Sequence, residues 1–290
     1  MERTIISFDY AIKNILRDKA NFDVLNGFLT ELLEKPVAVQ EILESEGNID
    51  DRDDKINRLD LKAKLEGGEI AVFEIQFFDQ IDFLGKALFN ASKAVVEQVS
   101  SGAFFDIKKV YSINIAYFSK IAENIEKEYV FRANLSRFSG VHFDEYIPFS
   151  QNLNPHFPAS DLHPEYFIIL PNKFDDQMRG KFDEWVYILK NSTVRSDFTA
   201  AGTQEAGEKL DILKMTPEER ARYQRYKTSD MSWKSQIYTA KLIGRAEGEA
   251  KGEKQKAVEI AQNMVKKGFD VNTIAKITKL SLNQVIELIN

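Results

Sequence analysis

The segment from residue 58 to residue 76 constrains the fold of this chain more than any other stretch. Residues 58–65 and 70–76 each alternate polar and apolar side chains with period two, and Gly67 and Gly68 lie between them. Because successive side chains of a strand point to opposite faces, this alternation predicts an antiparallel hairpin with one buried face. The charged positions of the first half share one face of that hairpin: Arg58, Asp60, Lys62 and Lys64.

The polar face of this hairpin is predicted to bring two carboxylates together. Pairing across the turn places Asp60 and Glu74 on one surface, with Gln76 and Lys62 beside them. Carboxylate oxygens are the hard ligands that Mg²⁺ prefers, and a cation held there can activate water and neutralise charge on a phosphodiester. A hairpin whose charged face is merely solvated has the same pattern, so the alternation alone leaves both interpretations open.

The spacing and the surrounding sequence favour the metal site. The acidic residues follow the pattern Asp-x13-Glu-x-Gln, close to the Asp…Glu-x-Lys spacing of PD-(D/E)XK nucleases. The chain resembles the Rpn-type recombination-promoting nucleases, a transposase-like group of that superfamily, over roughly residues 5–235. The resemblance rests on six ordered stretches: Phe8-Asp9-Tyr-Ala-Ile-Lys13-Asn-Ile-Leu16, Arg58-Leu-Asp-Leu-Lys-Ala63, Phe73-Glu-Ile-Gln76, Gly85-Lys-Ala-Leu-Phe-Asn-Ala-Ser-Lys93, Glu97-Gln98 and Val110-Tyr-Ser-Ile-Asn-Ile115.

This resemblance implies an α/β fold, with a restriction-endonuclease-like core in which helices flank a mixed central sheet, and a helical C-terminal tail. It implies metal-dependent hydrolysis of DNA phosphodiesters, with Mg²⁺ as the expected cation and Mn²⁺ or Ca²⁺ as alternatives. Asp60, Glu74 and the backbone carbonyl of Ile75 are expected to hold the metal. Asp9 is expected either to complete this site or only to cap its helix.

Gln76 occupies the place of the superfamily lysine, and its amide can orient water but carries no charge. Lys62, on the same strand face as Asp60, is predicted to supply the positive charge of the missing lysine, unless it is an ordinary solvated lysine. Three residues of the helix after the hairpin are predicted to approach DNA phosphates, or else to be surface polar groups: Lys86, Asn90 and Gln98. Two positions depart from the family pattern, Ile12 where an aromatic is common and Lys86 where an arginine is expected.

Composition excludes other classes of protein. The chain has no cysteine and three histidines, which excludes disulfides and thiolate metal sites and disfavours a His-rich zinc site. The absence of a long apolar run and of a signal pattern at the N-terminus predicts no membrane partner and a cytoplasmic location. A formal net charge of −6 opposes broad contact with DNA, so a nuclease would need a local basic patch.

The chain is predicted to divide into a nuclease-like domain at 1–235, a linker or helix at 236–256 and a small helical module at 257–290. The middle segment carries Gly244, Gly248 and Gly252, a spacing that predicts a hinge or frayed helix, or a close helix contact. The module resembles a helix-turn-helix with Ser281, Asn283 and Gln284 facing a DNA groove. Its predicted core is Ile274, Ala275, Leu280, Val285 and Ile286. Alternatively, it is a packing module through which the chain forms a homo-oligomer.

Periodicity predicts the remaining elements. Two helices are expected within 8–34, broken near 18–21, and further helices over 83–100 and 175–190. Strands are expected at 38–45, 110–118, 129–135 and 165–170. Thr216, Pro217 and Glu219 predict the start of another helix through a capping box.

Two functions are compatible with these residues. The first is a DNA endonuclease acting in recombination, mobile-element movement or defence. The second is a catalytically inactive DNA-binding or regulatory protein that retains the nuclease fold, because a fold does not guarantee an activity.

Overall fold

A computed structural model describes residues 4–43, 60–77, 82–99, 107–118, 122, 124–134, 137–139, 146–148 and 163–289. Contacts divide the chain into two compact units, Met1–Arg220 and Ala221–Asn290. The first unit contains the sheet and the candidate site. The predicted boundaries at 235 and 257 stay predictions.

Among the described residues, six strands of the first unit form one mixed sheet. They are β1 (Val39–Leu43), β2 (Leu61–Leu65), β3 (Ile70–Gln76), β4 (Val110–Ala116), β5 (Val130–Ala133) and β8 (Glu165–Ile169). Their order across the sheet is β1-β2-β3-β4-β8-β5. The pairs β1–β2, β2–β3 and β5–β8 are antiparallel, whereas β3–β4 and β4–β8 are parallel. Two further strands, β6 (Arg137–Ser139) and β7 (Tyr146–Pro148), pair separately. This architecture confirms the predicted mixed sheet.

The predicted hairpin is confirmed as β2 and β3. Leu61 pairs with Phe73 at one end of the ladder and Lys64 with Ile70 at the other. The turn closes with a hydrogen bond from Gly68 N to the carbonyl of Leu65, and Gly68 adopts a φ of +89°. Glycine reaches this left-handed conformation without the steric cost that a side chain adds.

In the part of the first unit that the structure describes, the helices beside the sheet and its covering layer are α1 (Phe8–Asn14), α2 (Phe22–Leu33), α3 (Phe83–Val99), α4 (Phe182–Asn191) and α5 (Thr203–Lys209). Short 3₁₀ segments lie at Lys19–Asn21, Pro171–Lys173 and Ile212–Lys214. The predicted break between the first two helices is confirmed, and Asp18 accepts a hydrogen bond from Ala20 N there. Among the described residues, no helix has the combined length and apolar character needed to cross a membrane.

One face of the sheet packs on an aromatic core centred on Phe28 of α2. Its ring lies 5.9 Å from that of Phe73 on β3 and 5.4 Å from that of Trp185 on α4. Phe8 of α1 completes the group at 5.4 Å from Phe28. Aromatic rings bury large apolar areas, so these contacts fix three helices against the sheet.

The opposite face of the sheet is covered by α3. Ile70 and Val72 of β3 pack against Ala91 and Ala94 of that helix, together with Val110 of β4. Period two puts Glu74 and Gln76 on the same face as Val72. The expectation of a single buried face was therefore wrong, because the central strand of this sheet is covered on both sides.

The helix predicted over 175–190 begins later, at Phe182. Asp176 has a φ of +64°, which a helix does not tolerate. The Asp183 carboxylate accepts hydrogen bonds from the backbone N–H groups of Arg179 and Gly180. These bonds stabilise a turn that competes with helix formation.

The C-terminal helices are α6 (Pro217–Lys266), α7 (Val271–Thr278) and α8 (Leu282–Glu287). The capping box is confirmed, since Glu219 N donates to Thr216 Oγ1 and Thr216 N donates to the Glu219 carboxylate. Gly244, Gly248 and Gly252 lie inside α6, and a β-carbon added at any of them would meet no described atom within 4 Å beyond the neighbouring backbone of the helix itself. The segment predicted as a hinge or frayed helix is therefore helical, and its glycines make no close contact with another helix of the described residues.

The last two helices and the end of α6 share a small core. The buried residues of this core are Ala261, Ile274, Leu280 and Val285. The last three are among the five predicted core positions. Ala275 packs at the edge of this core, but Ile286 is 45% exposed, so its assignment was wrong. Ser281 and Gln284 form the capping box of α8. The placement of Ser281, Asn283 and Gln284 at a DNA groove stays a prediction.

The first unit contains one helix contact that leaves no room for a side chain. A β-carbon added to Gly27 of α2 would lie 2.3 Å from Gly202 Cα and 2.4 Å from the carbonyl oxygen of Ala201. We expect Gly27→Ala to destabilise the protein by about 1–3 kcal/mol, because backbone atoms must move apart.

Urea denaturation measures this cost. Gly85→Ala is the matched control, because Gly85 lies in α3 with open space around its Cα; it should be neutral or stabilising by up to about 1 kcal/mol. Equal stability of the two variants would contradict the close contact of α2 with Gly202.

Candidate active site

Asp60 is held at the end of the β2–β3 ladder by two structural elements. Its backbone N–H donates to the carbonyl of Phe73, and its Oδ2 accepts a 2.6 Å hydrogen bond from the N–H of Ile75. Lys13 of α1 lies with its Nζ 3.0 Å from Oδ1, and Arg17 donates to the backbone carbonyl of Asp60 at 2.7 Å. The side chain is thus fixed in position by β3 and by α1.

Glu74 lies on β3 under α3, where it is only 4% exposed. Its Oε1 accepts from Lys86 Nζ at 2.5 Å and from the amide of Gln76, and its Oε2 accepts from Asn90 Nδ2 at 3.3 Å. Two of these donors come from α3, whose first half faces this end of the strand. The structure therefore brings Lys86 and Asn90, predicted to contact phosphate, onto a predicted metal ligand.

The backbone of Ile75 faces Asp60. The carbonyl of Gln76 accepts from Tyr117 N at 2.8 Å, so residue 76 turns its backbone groups toward the β4 side of the strand. These groups alternate along a strand, which turns the N–H and C=O of Ile75 toward the β2 side. The hydrogen bond from Ile75 N to Asp60 agrees with this direction.

The two carboxylates influence each other electrostatically. Burial raises the pKa of Glu74 above its ordinary value of 4.5, and the negative charge of Asp60 raises that pKa further. The hydrogen bonds and charge of Lys86, and the amide of Gln76, act in the opposite direction without cancelling the increase. An ionised Glu74 beside Asp60 is thus held in an unfavourable environment that positive charge relieves.

Lys62 and Gln98 make other contacts. The ammonium of Lys62, whose side chain is 10% exposed, forms an ion pair with Glu97 of α3. Gln98 bonds the carbonyls of Ala94 and Lys108 and accepts from Lys108 N, which ties the end of α3 to the approach to β4. Neither residue is joined to Asp60 or Glu74 by these contacts. Arg58, predicted to share the face of Asp60, lies outside the described residues.

The first helix supplies residues that the sequence argument did not assign. Lys13 and Arg17 hold Asp60 from α1 and the turn that follows it. Asp9 is buried in the same helix, one turn before Lys13. Within the described ranges, no three acidic, histidine or cysteine side chains form a group that could hold a metal. The third-ligand role of Asp9 stays a prediction.

The donor set at the hairpin end fits a divalent cation. Asp60 and Glu74 supply hard carboxylate oxygens, and the Ile75 carbonyl is directed to the same side as Asp60. The carboxylates are close enough for mutual repulsion to raise the pKa of Glu74, which a cation between them would offset. Lys13 and Lys86 place positive charge on these carboxylates, one on each.

Comparison with known protein families shows which family the chain belongs to. Residues 6–240 match the family described as PD-(D/E)XK nuclease family transposase. The chain belongs to that family. Residues 254–288 match the C-terminal HTH domain of the Rpn/YhgA-like nuclease family. Comparisons with curated proteins and with solved structures gave no match.

Membership of the PD-(D/E)XK nuclease family transposases confirms the resemblance inferred from the hairpin and the flanking segments. The second part of the family name, (D/E)XK, describes an acidic residue, one arbitrary residue and a lysine. Glu74, Ile75 and Gln76 match this pattern except at the lysine. The second match likewise confirms the helix-turn-helix resemblance of the C-terminal helices.

The raised pKa of Glu74 gives a prediction about stability. An acid whose pKa is raised by folding lowers stability at pH values above that pKa, and the loss disappears as the pH falls through it. We therefore expect Glu74→Gln to raise the Tm at pH 8 in the absence of divalent metal. The gain should shrink as the pH is lowered.

Thermal unfolding followed from pH 8 to pH 4.5 measures this change. Glu41→Gln is the control, because the Glu41 side chain is 51% exposed on β1 and pairs with Lys64; its effect should stay within about 0.5 kcal/mol. A lower Tm for Glu74→Gln at pH 8 would show that the ionised carboxylate stabilises the fold.

Proposed function

We propose that this protein is a divalent-metal-dependent endonuclease that hydrolyses DNA phosphodiesters at the Asp60–Glu74 site. The observation that carries the proposal is the pairing of two buried carboxylates at the end of a hairpin, in a member of a nuclease family. Buried like charges are costly to a fold and are typical of sites that bind a cation or perform catalysis.

In this proposal, Asp60, Glu74 and the carbonyl of Ile75 hold Mg²⁺, with Mn²⁺ or Ca²⁺ as alternatives. A bound divalent cation supplies polarisation of the phosphate and a lowered pKa for attacking water. The amide of Gln76 orients water at the same edge of the sheet. Asp9 as a further ligand and Lys62 as a source of positive charge stay predictions.

DNA binding by a chain with a net charge of −6 requires local positive charge. Residues 254–288 contain six lysines and three acidic residues, so this segment is basic within an acidic chain. Its match to an HTH domain supports a role in binding DNA. Self-association through the tail, a cytoplasmic location and a role in recombination, mobile-element movement or defence also stay predictions.

A second function is favoured by the completeness of the polar network. Both oxygens of Glu74 already accept hydrogen bonds from α3 or β3. Such a network also suits a protein that binds DNA without cutting it and retains the carboxylates as structural groups. The two functions differ in whether the protein cleaves DNA in a reaction that depends on these carboxylates.

We expect Asp60→Asn and Glu74→Gln each to lower Mg²⁺-dependent nicking of supercoiled plasmid by at least about 100-fold. Replacing a residue that only hydrogen-bonds a metal ligand typically lowers metal affinity or activity by about 10–100-fold, so replacing a ligand itself should lower activity further. Both variants should fold, since each keeps the shape of the side chain.

Glu69→Gln is the control for this assay. Glu69 lies at the turn end of the same hairpin, where it pairs with Lys35, and its loss should leave the rate within about threefold of wild type. Undiminished cleavage by both site variants would assign the activity elsewhere. DNA binding without any metal-dependent cleavage by the wild type would favour the second function.

A further inference from the structure

Two donors from different elements meet at a single oxygen of Glu74. Gln76 on β3 and Lys86 on α3 both donate to Oε1. Because each donor lies within hydrogen-bonding distance of the same atom, the Lys86 ammonium and the Gln76 amide nitrogen lie within about 6 Å of each other. A positive charge therefore lies beside the neutral side chain that occupies the lysine position of the family pattern.

We propose that Lys86 is a catalytic residue of the phosphodiester hydrolysis, which supplies from α3 the positive charge missing at position 76. The inference rests on the proposed endonuclease function. Lys86 would contact a non-bridging oxygen of the scissile phosphate and stabilise the charge that develops there.

Lys86 acts in this step through its charge and transfers no proton. The oxygen of water forms a bond to phosphorus, and the bond from phosphorus to the leaving sugar oxygen breaks. One proton passes from the attacking water to solvent, and one is taken up from solvent by the leaving oxygen.

The surroundings of the neighbouring lysines favour Lys86 for this role. Lys62, the residue predicted from the sequence, is bound to Glu97 and its side chain is 10% exposed. The Lys86 side chain is 20% exposed and already touches a proposed metal ligand. Lys13 contacts the other carboxylate, through Oδ1 of Asp60, and no contact joins it to Gln76 in the described structure.

The position of Lys86 implies opposite effects on metal binding and on cleavage. Its ammonium lies 2.5 Å from an oxygen that would also face the cation, so the ammonium and a cation bound to that oxygen would lie within about 5 Å of each other and repel. Removing the charge should strengthen metal binding but slow cleavage. A residue that only holds the fold together would weaken both properties on removal.

The test uses the full-length chain and two readouts. Calorimetry measures Ca²⁺ affinity without DNA at pH 8, and single-turnover nicking of supercoiled plasmid measures the rate at saturating Mg²⁺. The variants are Lys86→Ala, Lys62→Ala, Lys93→Ala and the double variant Gln76→Lys with Lys86→Ala. Lys93 is the matched control, since it lies two turns after Lys86 on α3 and faces Glu97 instead of Glu74.

We expect Lys86→Ala to slow cleavage by about 100-fold or more, the loss typical of a missing stabilising group in the transition state. Ca²⁺ should bind at least about threefold more tightly, because a repelling charge is gone. Lys93→Ala should stay within about threefold of wild type, as for an exposed ion pair. The double variant Gln76→Lys with Lys86→Ala should cleave at least about tenfold faster than Lys86→Ala alone, because the new lysine returns a positive charge to the same oxygen.

A Lys86→Ala rate within threefold of wild type would overturn the proposal, and so would weaker Ca²⁺ binding, a larger loss in Lys62→Ala, or no restoration by Gln76→Lys. If Lys86→Ala fails to fold, Lys86→Met keeps the aliphatic stem and replaces it in both readouts. Failure of the wild type to cleave would overturn the endonuclease function and this inference together. Cleavage by the wild type with an unaffected Lys86→Ala would overturn this inference alone.

Discussion

The carboxylates of Asp60 and Glu74 lie together at the buried end of one hairpin. Burying two acidic groups side by side costs free energy, and the surrounding side chains offset that cost. Glu74 is almost inaccessible to solvent, and the charge of Asp60 raises its pKa further. Ionised groups removed from water need hydrogen bonds and opposite charge, or they take up a proton. The helices that cover this end of the sheet supply both, Lys13 and Arg17 from the side of α1 and Lys86 and Asn90 from α3.

The hydrophobic core makes this arrangement rigid. Phe28, Phe73 and Trp185 fix α2 and α4 on one face of the sheet, and alanines of α3 pack closely on the other. The charged groups therefore lie on elements whose positions the core determines, which limits their freedom to separate or to reach water. Catalytic sites need such preorganisation, since side chains that are already oriented lose little free energy of reorganisation during the reaction. The chain belongs to a nuclease family, and we propose that this costly arrangement is its active site.

Local patterns in the sequence were sufficient to predict part of the fold and part of the candidate site. Alternation predicted β2 and β3, and the spacing of Asp60 and Glu74 identified the pair that the fold brings together. The partners of that pair depended on long-range packing, which no local pattern contains. Lys62 points along the predicted face, but α3 covers that face and Glu97 binds the lysine. Lys13 is 47 residues before Asp60 in sequence, and only the packing of α1 beside the hairpin brings them together. The glycines of α6 show the same limit, because a low helix propensity at three positions did not break the helix.

Anomalous diffraction from crystals grown with Mn²⁺ shows directly whether Asp60 and Glu74 hold a metal, because it locates the cation without depending on turnover. We expect one strong peak about 2.0–2.5 Å from oxygens of Asp60 and Glu74, the range of hard-cation coordination, with the Ile75 carbonyl also bound and Lys86 displaced from Oε1. Ordered Mn²⁺ only at other sites, with Lys13 still on Asp60 and Lys86 still on Glu74, would contradict this expectation.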